Sequence, residues 1–245
     1  MDRKTFMKNI YSKYWIRARE KEYKVFTFDE YLFNFISSNV KKNSEILDVA
    51  IGTGYPYGSF FEKNGYKVYG VDIAPILIEK CKNLNPNINC QVGDAENLKY
   101  PDNFFSFTYC FNSTSYFANL SKTIEEMIRV TTPNGLIIFD IKNRNNHKIS
   151  ENYNKMLLAK TSIFGKFTRY LKNILKIIFR KGMLDWTNVI YEVPIYPEMI
   201  YQHLETLKIK EYKVLVKLKG VDKPIIKTEK CSLKDYSKIT FILRK

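Results

Sequence analysis

The sequence predicts an α/β fold, a mostly parallel sheet with helices on both faces, and three observations carry that expectation. Ile46 to Ile51 is an apolar run broken only by Asp48, which reads as a strand buried on both faces. Gly52 and Gly54 follow at once, and Pro56 stands where a helix would begin, a position that tolerates its missing N–H. Beyond this unit, short β-prone runs alternate with helical patterns as far as residue 143. A strand, a glycine turn and a helix N-terminus make a crevice at the carboxyl edge of a parallel sheet. The backbone can approach a ligand closely there, and free N–H groups face an anion.

The chain has 245 residues and is 45% hydrophobic, enough for one sizeable α/β domain with an extra element. It holds no apolar run long enough to predict a transmembrane helix, and its first residues lack the apolar core of a signal peptide. Cys81, Cys90, Cys110 and Cys231 show no CxxC spacing, so reduced thiols in a cytoplasmic protein without a zinc site are expected. The net charge of +15 is compatible with nucleic acid, an anionic membrane surface or a phosphorylated substrate as partner, and equally with a lysine-rich composition alone.

Taken in order, residues 1–22 look helical, with Tyr11, Tyr14 and Trp15 grouped among Lys and Arg. Residues 28–40 form a second helix with Tyr31, Leu32, Phe35 and Ile36 on one face. After the first strand and its glycine turn, residues 57–64 are helical and Gly65 ends them as a C-cap would. Residues 66–72 make the second strand, with Asp72 at its carboxyl end, where a carboxylate can accept both hydroxyl hydrogens of a ribose. Ile73 offers an apolar wall to an adenine face. Pro75 opens a helix, and residues 89–93 form a third strand running into Asp94. Residues 105–111 are the fourth strand, whose end, from Asn112 to Tyr116, should line the reaction chamber. Residues 120–130 are helical, 132–135 a turn, and 136–141 the fifth strand.

Spacing narrows the ligand. A dinucleotide fingerprint needs a third glycine three residues after the second, and Tyr57 stands there. The stretch Asp48-Val-Ala50-Ile-Gly52-Thr-Gly54 instead resembles motif I of the class I S-adenosylmethionine-dependent methyltransferases, with Ala50 in place of the first glycine. Alanine is expected to fit there with a negative φ. The resemblance covers roughly residues 44–143, with Asp48, Asp72 and Asp94 and the two glycines in register. It implies a Rossmann-like seven-stranded sheet of order 3-2-1-4-5-7-6 with strand 7 antiparallel, and S-adenosylmethionine as cofactor. It further implies that Asp94 and Ala95 read the adenine edge, and that Tyr11 and Tyr14 belong to a lid over the methionine end; packing of these aromatics onto the sheet is the other reading. Ser106 stands where relatives often carry an acid. Neither the Asn-Pro-Pro-Tyr motif of adenine amino methylases nor the Pro-Cys motif of cytosine C5 methylases is present, which argues against base methylation in nucleic acid.

The chain thus divides into an N-terminal helical cap (1–43), a cofactor-binding core (44–143), a basic helical insert on the acceptor side (144–210) and a closing β-hairpin (211–245). No Asp or Glu occurs from Asn152 to Leu184, where eight Lys or Arg stand. Residues 163–179 carry an apolar stripe opposite a basic one, which suits either a lid packed on the active-site mouth or a helix lying on an anionic bilayer. For catalysis, Asp140 at the end of strand five and His147 just after it are the candidate bases, although the polar stretch around His147 favours reading it as an ordinary surface histidine. The expected activity is methyl transfer to a small-molecule acceptor, a hydroxyl of a sugar or glycan intermediate. An RNA acceptor and a lipid-linked acceptor at a membrane surface are the alternatives.

Overall fold

A computed structural model of the chain describes residues 2–19, 28–179, 189–190, 192–209, 211–216, 225–227 and 233–245. Five parallel strands come first: β1 (Glu45–Val49), β2 (Lys67–Asp72), β3 (Asn89–Val92), β4 (Phe105–Cys110) and β5 (Thr131–Lys142). They are followed by β6 (Tyr212–Val216), β7 (Ile225–Lys227) and β8 (Lys238–Arg244). The sheet order is β3-β2-β1-β4-β5-β8-β6-β7, with β8 antiparallel to both β5 and β6. The seven-strand order predicted from the sequence therefore holds, β8 taking the seventh place. The eighth strand is an addition. Ile225–Lys227 pairs antiparallel with Val214–Val216, so the expected closing pair of strands gains a third at the outer edge of β6. Three residues are too short a run to show a period in sequence.

The order reverses between β1 and β4. This is a topological switch point, and it opens a crevice beyond the carboxyl ends of those strands.

The helices are α1 (Arg3–Phe6), α2 (Ser12–Arg19), α3 (Glu30–Asn39), α4 (Tyr57–Lys63), α5 (Pro75–Leu84), α6 (Leu120–Val130), α7 (His147–Thr161), α8 (Ile163–Ile178) and α9 (Pro197–Thr206). A π-helical turn, Met7–Tyr11, joins α1 to α2. Asp2, Asp29, Asn119 and Asn146 cap their helices by each accepting the backbone N–H of the residue three positions on.

Alternation along the strands sorts the core into two layers. Ile46, Phe107, Tyr109 and Ile138 face α3 and α4, where Phe61 is fully buried. Leu47, Val49, Ile137 and Phe139 face α6, packing with Ile124 and Met127. Phe105 and Phe107 are two residues apart yet lie in opposite layers, because the register shifts between them. The opposing irregularity is the predicted turn at 132–135. It stands as a bulge inside β5, with Asn134 in the left-handed region at φ 62°.

Candidate active site

The glycine turn is held from below and from the side. Gly52 (φ 60°) donates its N–H to Asp72 Oδ2 at 3.0 Å, and Ala74 donates to Asp72 Oδ1 at 2.9 Å. Both oxygens of the Asp72 carboxylate are thus oriented by backbone amides at the mouth of the crevice. Burial pushes its pKa up to about 6, against the lowering by those amides. Gly54 (φ 81°) does not line the crevice. A Cβ there would lie 2.7 Å from Asn85 Nδ2 and 2.9 Å from Cys81 Sγ, so this glycine lets the turn close onto α5. Asn85 Nδ2 completes that closure by donating to the Thr53 carbonyl.

Ala50 corrects the sequence expectation. Its φ is 65°, not negative, so the residue keeps the left-handed backbone that a glycine would supply freely. The turn imposes it: the N–H groups of Ala50 and Ile51 both point at the Val71 carbonyl, at 2.8 and 3.0 Å. Asp48 is buried in mid-sheet, paired with Gly70 and Tyr109, and does not reach the crevice wall. Burial pushes its carboxyl well above the ordinary range. It sits beneath the turn rather than facing a ligand.

The crevice has about 960 Å³ of open space and is walled by Ala50, Gly52, Asp72, Ile73, Asp94, Ala95 and Asn112, all proposed from sequence. Its roof is the N-terminal helical run. Lys4, Met7, Ser12 and Trp15 line it, the Trp15 indole lying against Gly52. The Lys4 ammonium lies 2.7 Å from both Asp94 Oδ2 and Glu96 Oε2, and Arg3 donates to the carbonyls of Phe117 and Ile190. An N-terminal cover is therefore present, and the side chains of Tyr11 and Tyr14 lie outside the described residues. Lys4, Ser12 and Glu96 carried no sequence signal, since an ion pair spanning ninety residues has no local pattern.

A second cavity adjoins the first through Asn112. Thr114, Ser115, Asp140, Lys142, Ile149, Ser237 and Lys238 complete its lining. Asn112, at φ 57°, donates its N–H to Asp140 Oδ1 and its Nδ2 to the Tyr57 hydroxyl, and accepts from Lys238 Nζ. Lys238 Nζ also lies 2.7 Å from Asp140 Oδ2. Burial raises the Asp140 pKa despite Lys238. Burial works against the Lys238 charge too, but Asp140 and Tyr57 outweigh it and hold its pKa above the ordinary value. Asp140 is thus delivered to the cavity as predicted by its place in β5. His147 is not: it is exposed on the first turn of α7 and lines neither cavity. Helix α7 begins at His147 itself, capped by Asn146, and carries the ring outward.

A switch-point crevice with a glycine turn after β1 and acids at the ends of β2 and β3 defines a Rossmann-like site for a nucleoside-bearing cofactor. Residues 47–139, about two-fifths of the chain, match the methyltransferase domain family, and the fold is that of the class I S-adenosylmethionine-dependent methyltransferases. The demethylmenaquinone methyltransferase of Paenarthrobacter aurescens is 31% identical over 100 residues, 41% of this chain and 39% of that protein. The malonyl-[acyl-carrier protein] O-methyltransferase of Halorhodospira halophila is 28% identical over 98 residues, 38% of this chain and 33% of that protein. The chain thus spans only about a third to two-fifths of these curated relatives. A Thermotoga maritima S-adenosylmethionine-dependent methyltransferase of known structure superposes over 99% of this chain and 97% of its own, with a TM-score of 0.59 and 16% identity, a likeness of fold. The residues present fit the family's cofactor, S-adenosylmethionine. Asp72 would offer an oriented bidentate acceptor to ribose hydroxyls, Ile73 an apolar wall, Asp94 an acceptor to the adenine edge, and the turn after β1 a close backbone approach.

Proposed function

We propose that this protein transfers a methyl group from S-adenosylmethionine to a hydroxyl of a small-molecule acceptor, a sugar or glycan intermediate, seated in the cavity of Asp140 and Lys238. The observation that supports this most is the chemistry of that cavity. Carboxylate, ammonium, hydroxyl and amide groups stand at it beside Ile149, although most of the surface they expose to it is carbon, and it joins the cofactor crevice at Asn112. A polyhydroxylated acceptor satisfies such groups. These groups now pair with one another, Asp140 with Lys238 and with the Asn112 amide, and sugar hydroxyls can exchange with such pairs where an apolar acceptor cannot.

The cofactor supplies a sulfonium methyl group open to in-line displacement. Holding the acceptor in line can contribute about 7–11 kcal/mol without a catalytic side chain. This chain's residues do that positioning: Asn112 is pinned by Tyr57, Asp140 and Lys238 between the two cavities. Asp140 would take the acceptor's hydroxyl proton, and Lys238 stabilises the ionised carboxylate that this role requires. The relatives matched over the core act, by their names, on malonyl-acyl carrier protein and demethylmenaquinone. Acceptor choice therefore rests on residues outside the matched segment, among them Lys142, Ser237 and Lys238.

The test is turnover of S-adenosylmethionine against a panel of sugars, nucleotide-linked sugars and glycan fragments, with the demethylated cofactor and methylated product both measured. Turnover with a hydroxyl acceptor, lost in Asp140→Asn, supports the reading. Cofactor binding with transfer only to nitrogen or carbon acceptors overturns the acceptor class, and failure to bind the cofactor overturns the whole reading.

A further inference from the structure

Helix α8 is turned the wrong way round for a helix that belongs only to a water-soluble surface. Its small and polar side packs inward. Gly165 and Asn173 are buried, and a Cβ at Gly165 would run into the Leu158 carbonyl oxygen and lie 2.6 Å from Ala159 Cα, so α8 presses its Gly165 side against α7. At 100° per residue, Ile163, Phe164, Phe167, Leu171, Leu175 and Ile178 share the opposite arc. All six are exposed, Ile163 and Phe164 at 88% and 76%. The sequence allowed this stripe to pack on the active-site mouth as a lid, and the structure instead leaves it facing outward.

Charge indicates what covers it. Lys166 and Lys172 are exposed on the two borders of the apolar arc, where a long basic side chain can reach a headgroup while the arc sinks below it. No Asp or Glu occurs between Asn152 and Leu184, against eight Lys or Arg. A second copy of this chain would bring the same positive charge, and the net charge of +15 opposes that pairing. A folded apolar arc rimmed by lysines, within a segment that carries no acid, is complementary to an anionic bilayer surface. No described helix is long and apolar enough to cross a membrane, so α8 would lie in the interface plane.

We propose that α8 is a membrane-docking element that seats the protein on anionic lipid through its outward apolar arc. The proposal does not depend on the acceptor assigned above. It is tested by flotation of the full-length protein with phosphatidylcholine vesicles and with vesicles in which phosphatidylglycerol replaces about a third of that lipid. Wild type is expected to float with the anionic vesicles at least tenfold more than with the neutral ones. The F164S/F167S/L171S variant should lose that binding while keeping the wild-type thermal transition, because the three side chains are solvent-exposed. The K166E/K172E variant, which leaves the arc intact, should lose most of the preference for anionic vesicles. Equal flotation of wild type and both variants overturns the proposal. So does a lipid-free dimer that the serine variant converts to monomer, or RNA binding that the glutamate variant abolishes with vesicle binding unchanged.

Discussion

The Lys4 ammonium sits 2.7 Å from Asp94 Oδ2, and the same 2.7 Å from Glu96 Oε2, so one lysine of the first helix ties the roof of the crevice to the acid proposed to read the adenine edge. Burial favours protonation of Asp94, but Lys4 and the Glu96 amide prevail and hold its carboxyl below the ordinary range. The latch therefore keeps Asp94 an ionised acceptor while closing the cover.

Lys4→Met tests the latch. The pair is part-exposed, so its contribution is discounted for solvent to about 1 kcal/mol, a roughly fivefold faster dissociation of S-adenosylhomocysteine. Stopped-flow displacement measures it. Slower dissociation in the variant would show that Lys4 competes with the ligand instead of retaining it.

Asp72 sets a pH dependence. Its pKa of about 6 in the free protein lies above the ordinary value of ~3.9. This group alone therefore favours folding fully below that ordinary value and loses the contribution as pH rises to about 6. Ligand binding runs the other way, because ribose hydroxyls need the ionised acceptor. Affinity for S-adenosylhomocysteine should fall as pH drops through about 6, towards tenfold per unit. Calorimetric titration across pH 5–8 reads this, and Asp72→Asn should weaken binding at neutral pH by roughly ten- to a hundredfold and flatten the profile.

Ala50→Gly should stabilise the fold. Left-handed backbone costs a non-glycine residue about 1–2 kcal/mol, and glycine's extra chain entropy returns about 0.5–1. The net expectation is about 0.5–1 kcal/mol in urea unfolding. A loss of stability would mean that the Ala50 methyl packs well enough to outweigh its backbone.

Asp140 and His147 separate in kinetics. Asp140→Asn should lower turnover by about 10²–10⁴ with the cofactor dissociation constant little changed, as for loss of a base. His147→Ala should leave both untouched, since the exposed ring lines neither cavity. A comparable loss in His147→Ala would show that α7 moves on acceptor binding.

The core was legible because its signals are local. Ile46 to Gly54 announces a buried strand and a turn in nine consecutive residues, and Asp72 and Asp94 end strands whose apolar runs can be counted. Asp140 was reachable by the same argument. Ala50 was misread, since nothing in the chain states that its amide and the next must both meet the Val71 carbonyl. Lys238 was invisible: it opens an ordinary alternating strand, and only antiparallel pairing of β8 beside β5 places it against Asp140.

By itself, then, the sequence determined the α/β core, the glycine turn and the acids of the cofactor crevice, because periodicity and strand-end position are properties of short stretches; the strand order came with the resemblance of the Asp48–Gly54 motif to a known family. The tertiary structure alone decided the Lys4 latch, the Asp140–Lys238 cavity and the outward face of α8. Each of these depends on which surfaces meet across the sheet or between helices. An amphipathic stripe is the same in sequence whether its apolar side faces in or out, and Gly165 against α7 settles which way it turns.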